Sequence, residues 1–131
     1  MNIVIVAGEA SGDLLGGKLV TSLNKLQKNL SITGIGGNTM RAAGMDTLFD
    51  VNETSVVGIV EVLKHYPRLR HILTKLKQHI ASKKPEVLIL IDYPEFNLKL
   101  AKFAKQLGIK VLFYVSPQVW AWSTGRIKKI R

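Results

Sequence analysis

Val87-Leu88-Ile89-Leu90-Ile91 is an unbroken aliphatic run near the middle of the later half of the chain. A strand with one wet face alternates apolar and polar side chains, so a run of this kind must be covered on both faces. Ile3-Val4-Ile5-Val6 and Val111-Leu112-Phe113-Tyr114-Val115 carry the same pattern towards the two ends. Helical patterns lie between them, and short apolar runs alternating with helices are the signature of a parallel sheet. The predicted fold class is therefore α/β, a Rossmann-like, mostly parallel sheet with helices on both faces.

The expected order is strand 3–6, helix 13–26, strand 31–35, a short helix 38–43 and an extended piece 47–51. Two helices follow, 56–65 and 67–82, the second opened by Pro67 at its first turn. Strand 86–91, helix 96–106 stopped by Gly108, and strand 110–115 come next. An aromatic turn and a basic helix from about Gly125 end the series.

With 131 residues and 47% hydrophobic content, the chain is long enough for one compact domain with a core and too short for two. It has no cysteine, which excludes a disulfide scaffold and thiolate metal sites and is compatible with a reducing compartment. Met1-Asn2-Ile3-Val4-Ile5-Val6 lacks a basic leader and reads as the buried first strand of a cytoplasmic protein. No apolar run approaches the roughly 20 residues that cross a bilayer, so membrane contact is expected to be peripheral.

Nineteen Lys and Arg against nine Asp and Glu give a net charge of +10, which favours polyanionic partners. Lys64, Arg68, Arg70, Lys75, Lys77, Lys83 and Lys84 share one stretch with Leu63, Leu69, Ile72, Leu73, Leu76 and Ile80. Basic and apolar residues on one helix suit an anionic membrane surface better than a nucleic-acid groove. Nucleic acid would call for aromatic stacking platforms, and this stretch offers Tyr66 alone, so no nucleic-acid partner is expected. His65, His71 and His79 lack the carboxylate or i+4 histidine partner of a zinc helix. They are read as decorating the polar side of the basic helices, with no metal and no cofactor expected.

Three places carry candidate chemistry at the ends of strands, where open α/β sheets bind ligands. Gly8-Glu9-Ala10-Ser11-Gly12-Asp13 follows the first strand; small residues there let a ligand approach backbone N–H groups, although Glu9 and Asp13 would repel a phosphate. The alternative is a tight turn in which Ser11 or Asp13 caps the helix. Gly34, Gly36 and Gly37 end the second strand, either as an ordinary turn or as a close neighbour of the first loop. Asp92 and Glu95 bracket Tyr93-Pro94 beyond the fourth strand, where partial desolvation would suit a carboxylate to general-base work. Glu95 equally serves as a helix N-terminal acid, and Asn97 could cap, orient a loop or bind sugar hydroxyls.

Tyr114-Val115-Ser116-Pro117-Gln118-Val119-Trp120-Ala121-Trp122 breaks a strand with a proline and sets two indoles on a turn. Ser116, Gln118, Trp120, Trp122 and Arg126 could wall a glycan or acylated sugar, with one tryptophan filling core as the alternative. Val56-Val57-Gly58-Ile59-Val60-Glu61-Val62-Leu63 is more apolar than a surface helix requires, by burial or by interfacial contact.

Those motifs, taken in order and almost end to end, closely resemble the lipid-A-disaccharide synthase family, membrane-surface glycosyltransferases of Gram-negative bacteria. The resemblance implies the N-terminal, acceptor-side lobe of a GT-B type glycosyltransferase over residues 1–131, with the lobe incomplete and the donor-binding lobe absent. It implies transfer of 2,3-diacylglucosamine from its UDP form to 2,3-diacylglucosamine 1-phosphate in lipid A biosynthesis, giving a β-1,6 disaccharide and UDP. A lone lobe is expected not to catalyse this, and an unpaired sheet edge is expected to favour self-association. Asp92 takes the position of the family's catalytic aspartate, while Glu95 departs from the aspartate usual there. Glu9, Ser11, Gly12, Asp13, Gly36, Gly37, Asn97, Ser116, Gln118, Trp120, Trp122 and Arg126 are implied as substrate-binding. Val56, Val57, Ile59, Val60, Leu63, Leu69, Leu73, Lys75 and Lys77 are implied as membrane or acyl-chain contacts on the inner face of the inner membrane. The rival readings are a non-catalytic basic module for membrane or nucleic acid, and another Rossmann-like nucleotide-sugar or cofactor protein; the missing G-x-G-x-x-G weakens the latter.

Overall fold

The computed structural model describes residues 1–8, 10–27, 29–51, 59–91 and 94–114, with side chains left aside at 10, 11, 59–69, 94 and 95. Five strands form one parallel sheet: β1 (Asn2–Ala7), β2 (Ser31–Gly36), β3 (Asp46–Asp50), β4 (Val87–Ile91) and β5 (Lys110–Tyr114). Their spatial order is β3-β2-β1-β4-β5. β1 pairs with β2 through Ile3↔Ile32 and with β4 through Ile3↔Val87, so it is bonded along both edges. The helices between strands are α1 (Ala10–Leu26), α2 (Asn38–Ala42), α3 (Ile59–Lys83) and α4 (Pro94–Gln106). This is the expected Rossmann-like class.

The strand order dictates which face each helix covers. Right-handed crossovers from β1 to β2 to β3 run one way across the sheet and place α1 and α2 on one face. The return to β4 and on to β5 places α3 and α4 on the other. Side-chain neighbours agree with this assignment. A Cβ on Gly12 of α1 would lie 3.3 Å from the Cβ of Ala7 and 3.4 Å from Cγ2 of Ile91, whereas Thr33 of β2 meets His79 of α3 at 2.8 Å. The core is a continuous aliphatic layer on both faces, centred on Val4, Ile5, Val6, Leu88 and Leu90, none of them more than 1% exposed.

Two boundaries differ from the sequence expectation. α3 runs unbroken from Ile59 to Lys83, with Pro67 inside it and not at the start of a second helix. Proline removes one main-chain bond and costs roughly 3 kcal/mol inside a helix. Downstream, Ile72, Leu76 and Ile80 recur at four-residue spacing and are all fully or almost fully buried, and their docking keeps the helix continuous. α1 begins at Ala10, earlier than Asp13, because Asp13 is not used to cap its own helix. The aromatic turn and the final basic helix lie outside the described residues.

β5 is an outer strand. Its Leu112 and Tyr114 lie in register with Ile89 and Ile91, on the α1 side of the sheet, and are 52% and 39% exposed because α1 does not extend over them. Val111 and Phe113 on the opposite side pack towards α4 and the core.

Gly34 shows how tightly the centre is built. Its φ of +142° is open to glycine and strained for other residues, and a Cβ there would collide with the carbonyl oxygen of Ile5 on β1. The β2–β3 register shifts at this same point. Gly108, with φ of +78°, has open space around it. Gly34→Ala is expected to destabilise the domain by about 3 kcal/mol or more, and Gly108→Ala by about 1 kcal/mol, read as midpoints of urea unfolding.

Candidate functional site

All five strands are parallel, so the loops that leave β1, β2 and β4 gather at one edge of the sheet. The first of them is followed by α1, whose glycines decide how near its neighbours come. A Cβ on Gly16 would lie 2.5 Å from Sδ of Met40, and one on Gly17 would strike the methyl of Thr39. Backbone replaces side chain at this contact, and α2 therefore sits against α1 at a distance that ordinary residues would forbid.

That approach brings Asp13 of α1 to the start of α2. Its Oδ1 accepts from the backbone N–H of Gly37 at 2.7 Å and of Met40 at 3.0 Å, and its Oδ2 accepts from Thr39 N–H at 3.0 Å. α2 is preceded by Gly37, which has no side chain to satisfy the first-turn donors, and Asp13 does so from another element. Gly37 must be glycine for this, since a Cβ would lie 2.7 Å from the same Oδ2. Of the two sequence readings of Asp13 apart from the family's, capping is what occurs, but on α2 and not on α1. The side chain is 7% exposed, and each of its oxygens already holds a backbone donor.

α2 is also pinned at its far side. Arg41 Nη2 pairs with Oδ2 of Asp50 at 2.7 Å and donates to Oδ1 of Asn38 at 2.6 Å, while Nη1 reaches Oγ1 of Thr47 at 3.3 Å. The result is a short helix fixed between α1 and the outer strand β3. On the other side of the site, Asn97 of α4 has no exposed surface and donates from Nδ2 to the carbonyl of Ile91 at 3.4 Å. It grips the end of β4 immediately before Asp92, which favours loop orientation over contact with a solute.

The described structure thus joins Gly12, Asp13, Gly36 and Gly37 in one cluster, with Asn97 at the end of the next strand but one. Ser11 lies in α1 and Ile59, Val60, Leu63 and Leu69 lie in α3, all with side chains outside the described set. Glu9, Val56, Val57, Asp92, Ser116, Gln118, Trp120, Trp122 and Arg126 lie outside the described residues. Lys75 is exposed, Leu73 is half-buried against the core, and Lys77 holds Nζ 5.5 Å above the ring of Phe103, joining α3 to α4. Sequence reasoning missed Gly16, Gly17, Thr39 and Arg41. The signal available was an uncapped helix start, Gly37-Asn38-Thr39-Met40, which requires a carboxylate from elsewhere.

A family model described as lipid-A-disaccharide synthetase matches residues 3–131. The chain belongs to the lipid-A-disaccharide synthase family. It is 56% identical over 128 residues to the lipid-A-disaccharide synthase of Geobacter metallireducens, covering 98% of this chain and 33% of that one. It is 48% identical over 130 residues to the synthase of Coxiella burnetii, covering 99% of this chain and 35% of that one. The chain spans about a third of the length of these curated relatives. Among solved structures it is similar in fold to a ugt transferase from Siraitia grosvenorii in complex with UDP, with TM-score 0.55 and 17% identity over 86% of this chain and 27% of that chain. UDP-GlcNAc 2-epimerase from Neisseria meningitidis, bound to UDP-GlcNAc, gives TM-score 0.55 and 11% identity over 86% of this chain and 32% of that one. At those identities the likeness is one of fold. Family and fold agree with the expectations drawn from the motifs.

One histidine departs from its expected place. His79 turns from α3 towards the sheet, where Nε2 and the Thr33 hydroxyl share a 2.8 Å hydrogen bond, while His71 is exposed. Burial, and then the nearby Lys83 ammonium, lower its pKa below the ordinary 6.5. The folded state therefore favours neutral imidazole and the unfolded state binds the proton more readily. The stability from this site is fully present above pH 6.5 and declines as pH falls from 6.5 towards the lowered value. Thermal unfolding followed between pH 7.5 and pH 5 is expected to show that decline, and His79→Gln to flatten it.

Proposed function

We propose that this chain forms the acceptor-side lobe of a lipid-A-disaccharide synthase. The enzyme would transfer 2,3-diacylglucosamine from its UDP form to 2,3-diacylglucosamine 1-phosphate. The observation that carries the reading is the 48% and 56% identity to lipid-A-disaccharide synthases over almost the whole chain. The gathering of the strand-end loops at one edge supports it, because that edge is where the motifs of the resemblance fall.

In this reading Asp92 is the general base. The acceptor's 6-hydroxyl gives its proton to the Asp92 carboxylate as its oxygen forms a bond to the donor's anomeric carbon. The bond from that carbon to the UDP oxygen breaks, and UDP leaves with the electron pair. The burial of Asn97 and its bond to the Ile91 carbonyl support this role by fixing the strand end that presents Asp92. Ser116, Gln118, Trp120, Trp122 and Arg126 would contact the acylated sugar, and UDP would be held chiefly by a second lobe. In an active enzyme containing this chain, Asp92→Asn is expected to lower kcat by roughly 10²-fold or more with substrate KM little changed. Turnover close to wild type would remove Asp92 from the role.

The same reading puts the protein at the cytoplasmic face of the inner membrane as a peripheral partner of anionic lipid. Among the described residues no helix is long and apolar enough to cross a membrane. On α3, Ile72, Leu76 and Ile80 are turned into the core, while Arg70, Lys75 and Lys83 are exposed. Attachment by this part of the helix would be electrostatic and would not insert side chains. Flotation with vesicles is expected to rise with anionic lipid content and fall with salt, each basic residue contributing about 1 kcal/mol. Lys75→Glu is expected to weaken flotation without altering unfolding. Self-association along β5 belongs to this reading too, supported by the exposure of Leu112 and Tyr114 on the outer strand.

A further inference from the structure

We propose that Asp13 is a positioning residue for the acceptor: it holds the Gly36–Gly37 segment and the first turn of α2 in the place where the acceptor sugar phosphate is received. The inference rests on the acceptor-lobe reading above and differs from the substrate-contact role that the resemblance implies for Asp13.

Both carboxylate oxygens are committed to backbone. Three N–H groups, of Gly37, Thr39 and Met40, converge on them at 2.7, 3.0 and 3.0 Å, and the side chain is 7% exposed. A solute would have to displace one of these donors to reach the carboxylate, and the Gly37 and Met40 donors are themselves buried. Direct binding is thereby disfavoured.

The element that Asp13 holds cannot hold itself. α2 has five residues, and a helix that short does not form in isolation because nucleation costs more than one turn returns. Its preceding residue offers no side-chain cap. Its placement depends on Met40 packing against Gly16, on Arg41 reaching Asp50, and on Asp13. Of these, only Asp13 also binds the loop itself, through Gly37 N–H. It comes from α1, so a single side chain fixes the loop after β2 relative to the helix after β1. Loosening it would move the loop against the rest of the edge while leaving the sheet and its core in place.

Asp13→Asn tests this, because the amide is isosteric but must set an N–H donor against at least one of the three backbone donors. The chain is titrated with glucosamine 1-phosphate carrying two short acyl chains, and binding is followed by backbone amide NMR. Wild type is expected to bind with shifts at Gly36 and Gly37, and Asp13→Asn to bind about tenfold more weakly, the scale of one lost cap. Val20→Ala, which removes a fully buried α1 side chain on the same helix, serves as the control for lost stability alone. It is expected to lower the melting temperature at least as much and to leave affinity within about twofold, since a core cavity away from the loop changes folding and not its position.

Unchanged affinity in folded Asp13→Asn, or equal weakening in Val20→Ala, would overturn the positioning role. If Asp13→Asn does not fold, Gly37→Ala decides in its place, because its Cβ presses on the same Oδ2 contact without removing the charge, and unchanged affinity there overturns the role. Absence of binding by the wild-type chain would overturn the acceptor-site reading on which the inference stands, a result distinct from a failure confined to Asp13.

Discussion

β1 is hydrogen-bonded to a parallel strand on each edge and covered on each face, with Ile3 to Ala7 no more than 3% exposed. Neither neighbour can be reached by a hairpin, because a parallel partner requires the chain to return through a crossover. Each crossover adds a helix to one face and a loop to the strand's C-terminal edge. The sheet's interior and the location of its loops are thus two consequences of one pairing pattern. A glycine such as Gly34, packed onto the Ile5 backbone, shows how little space that pattern leaves at its centre.

A buried carboxylate would ordinarily be costly at the edge of such a core, since charge is removed from water. Asp13 is tolerated because three backbone donors and the N-terminal end of α2 surround it, supplying the partial positive charge that water would have supplied. The glycines of α1 make the geometry available. Glycine inside a helix costs about 1 kcal/mol relative to alanine, so Gly12, Gly16 and Gly17 weaken α1 as an isolated helix. Close packing of α1 on β1, β4 and α2 offsets that cost. Local propensity is given up here for a contact between loops, a concession that falls where the candidate site lies.

The sheet was legible because its signal is long and redundant: Ile3 to Val6 and Val87 to Ile91 have no polar interruption, and both became central strands. The α3 boundary was misread since Pro67 is a strong local stop signal, whereas the burial of Ile72, Leu76 and Ile80 that overrides it is a tertiary fact. Asp13 was recognised as a capping residue yet assigned to the wrong helix. Nothing within six residues of it in sequence reveals that its partners lie at Gly37, Thr39 and Met40. His79 was hidden for a similar reason, as a polar residue among lysines gives no sign that β2 presents a hydroxyl to it. Gly36 and Gly37, by contrast, could be placed beside the first loop from topology alone, because loops after adjacent parallel strands converge.

The charge on α3 is best understood through the division of labour along the helix. Its apolar residues in the described part are consumed by the core, and the basic ones remain outside, apart from Lys77, which extends over Phe103 and ties α3 to α4. Lysine can serve both purposes, laying its methylenes on an aromatic ring while the ammonium stays near water. α4 continues the pattern, with Leu100, Ala101 and Ala104 buried and Lys99, Lys102 and Lys105 exposed. The positive charge consequently covers the outer side of both helices on one face of the sheet, and it does not follow the loop edge where Asp13 and Asn97 act. An anionic surface attracted to that side would meet a rigid, already packed pair of helices. Attraction there requires no rearrangement of the core, and the loops at the sheet edge remain free to form a site.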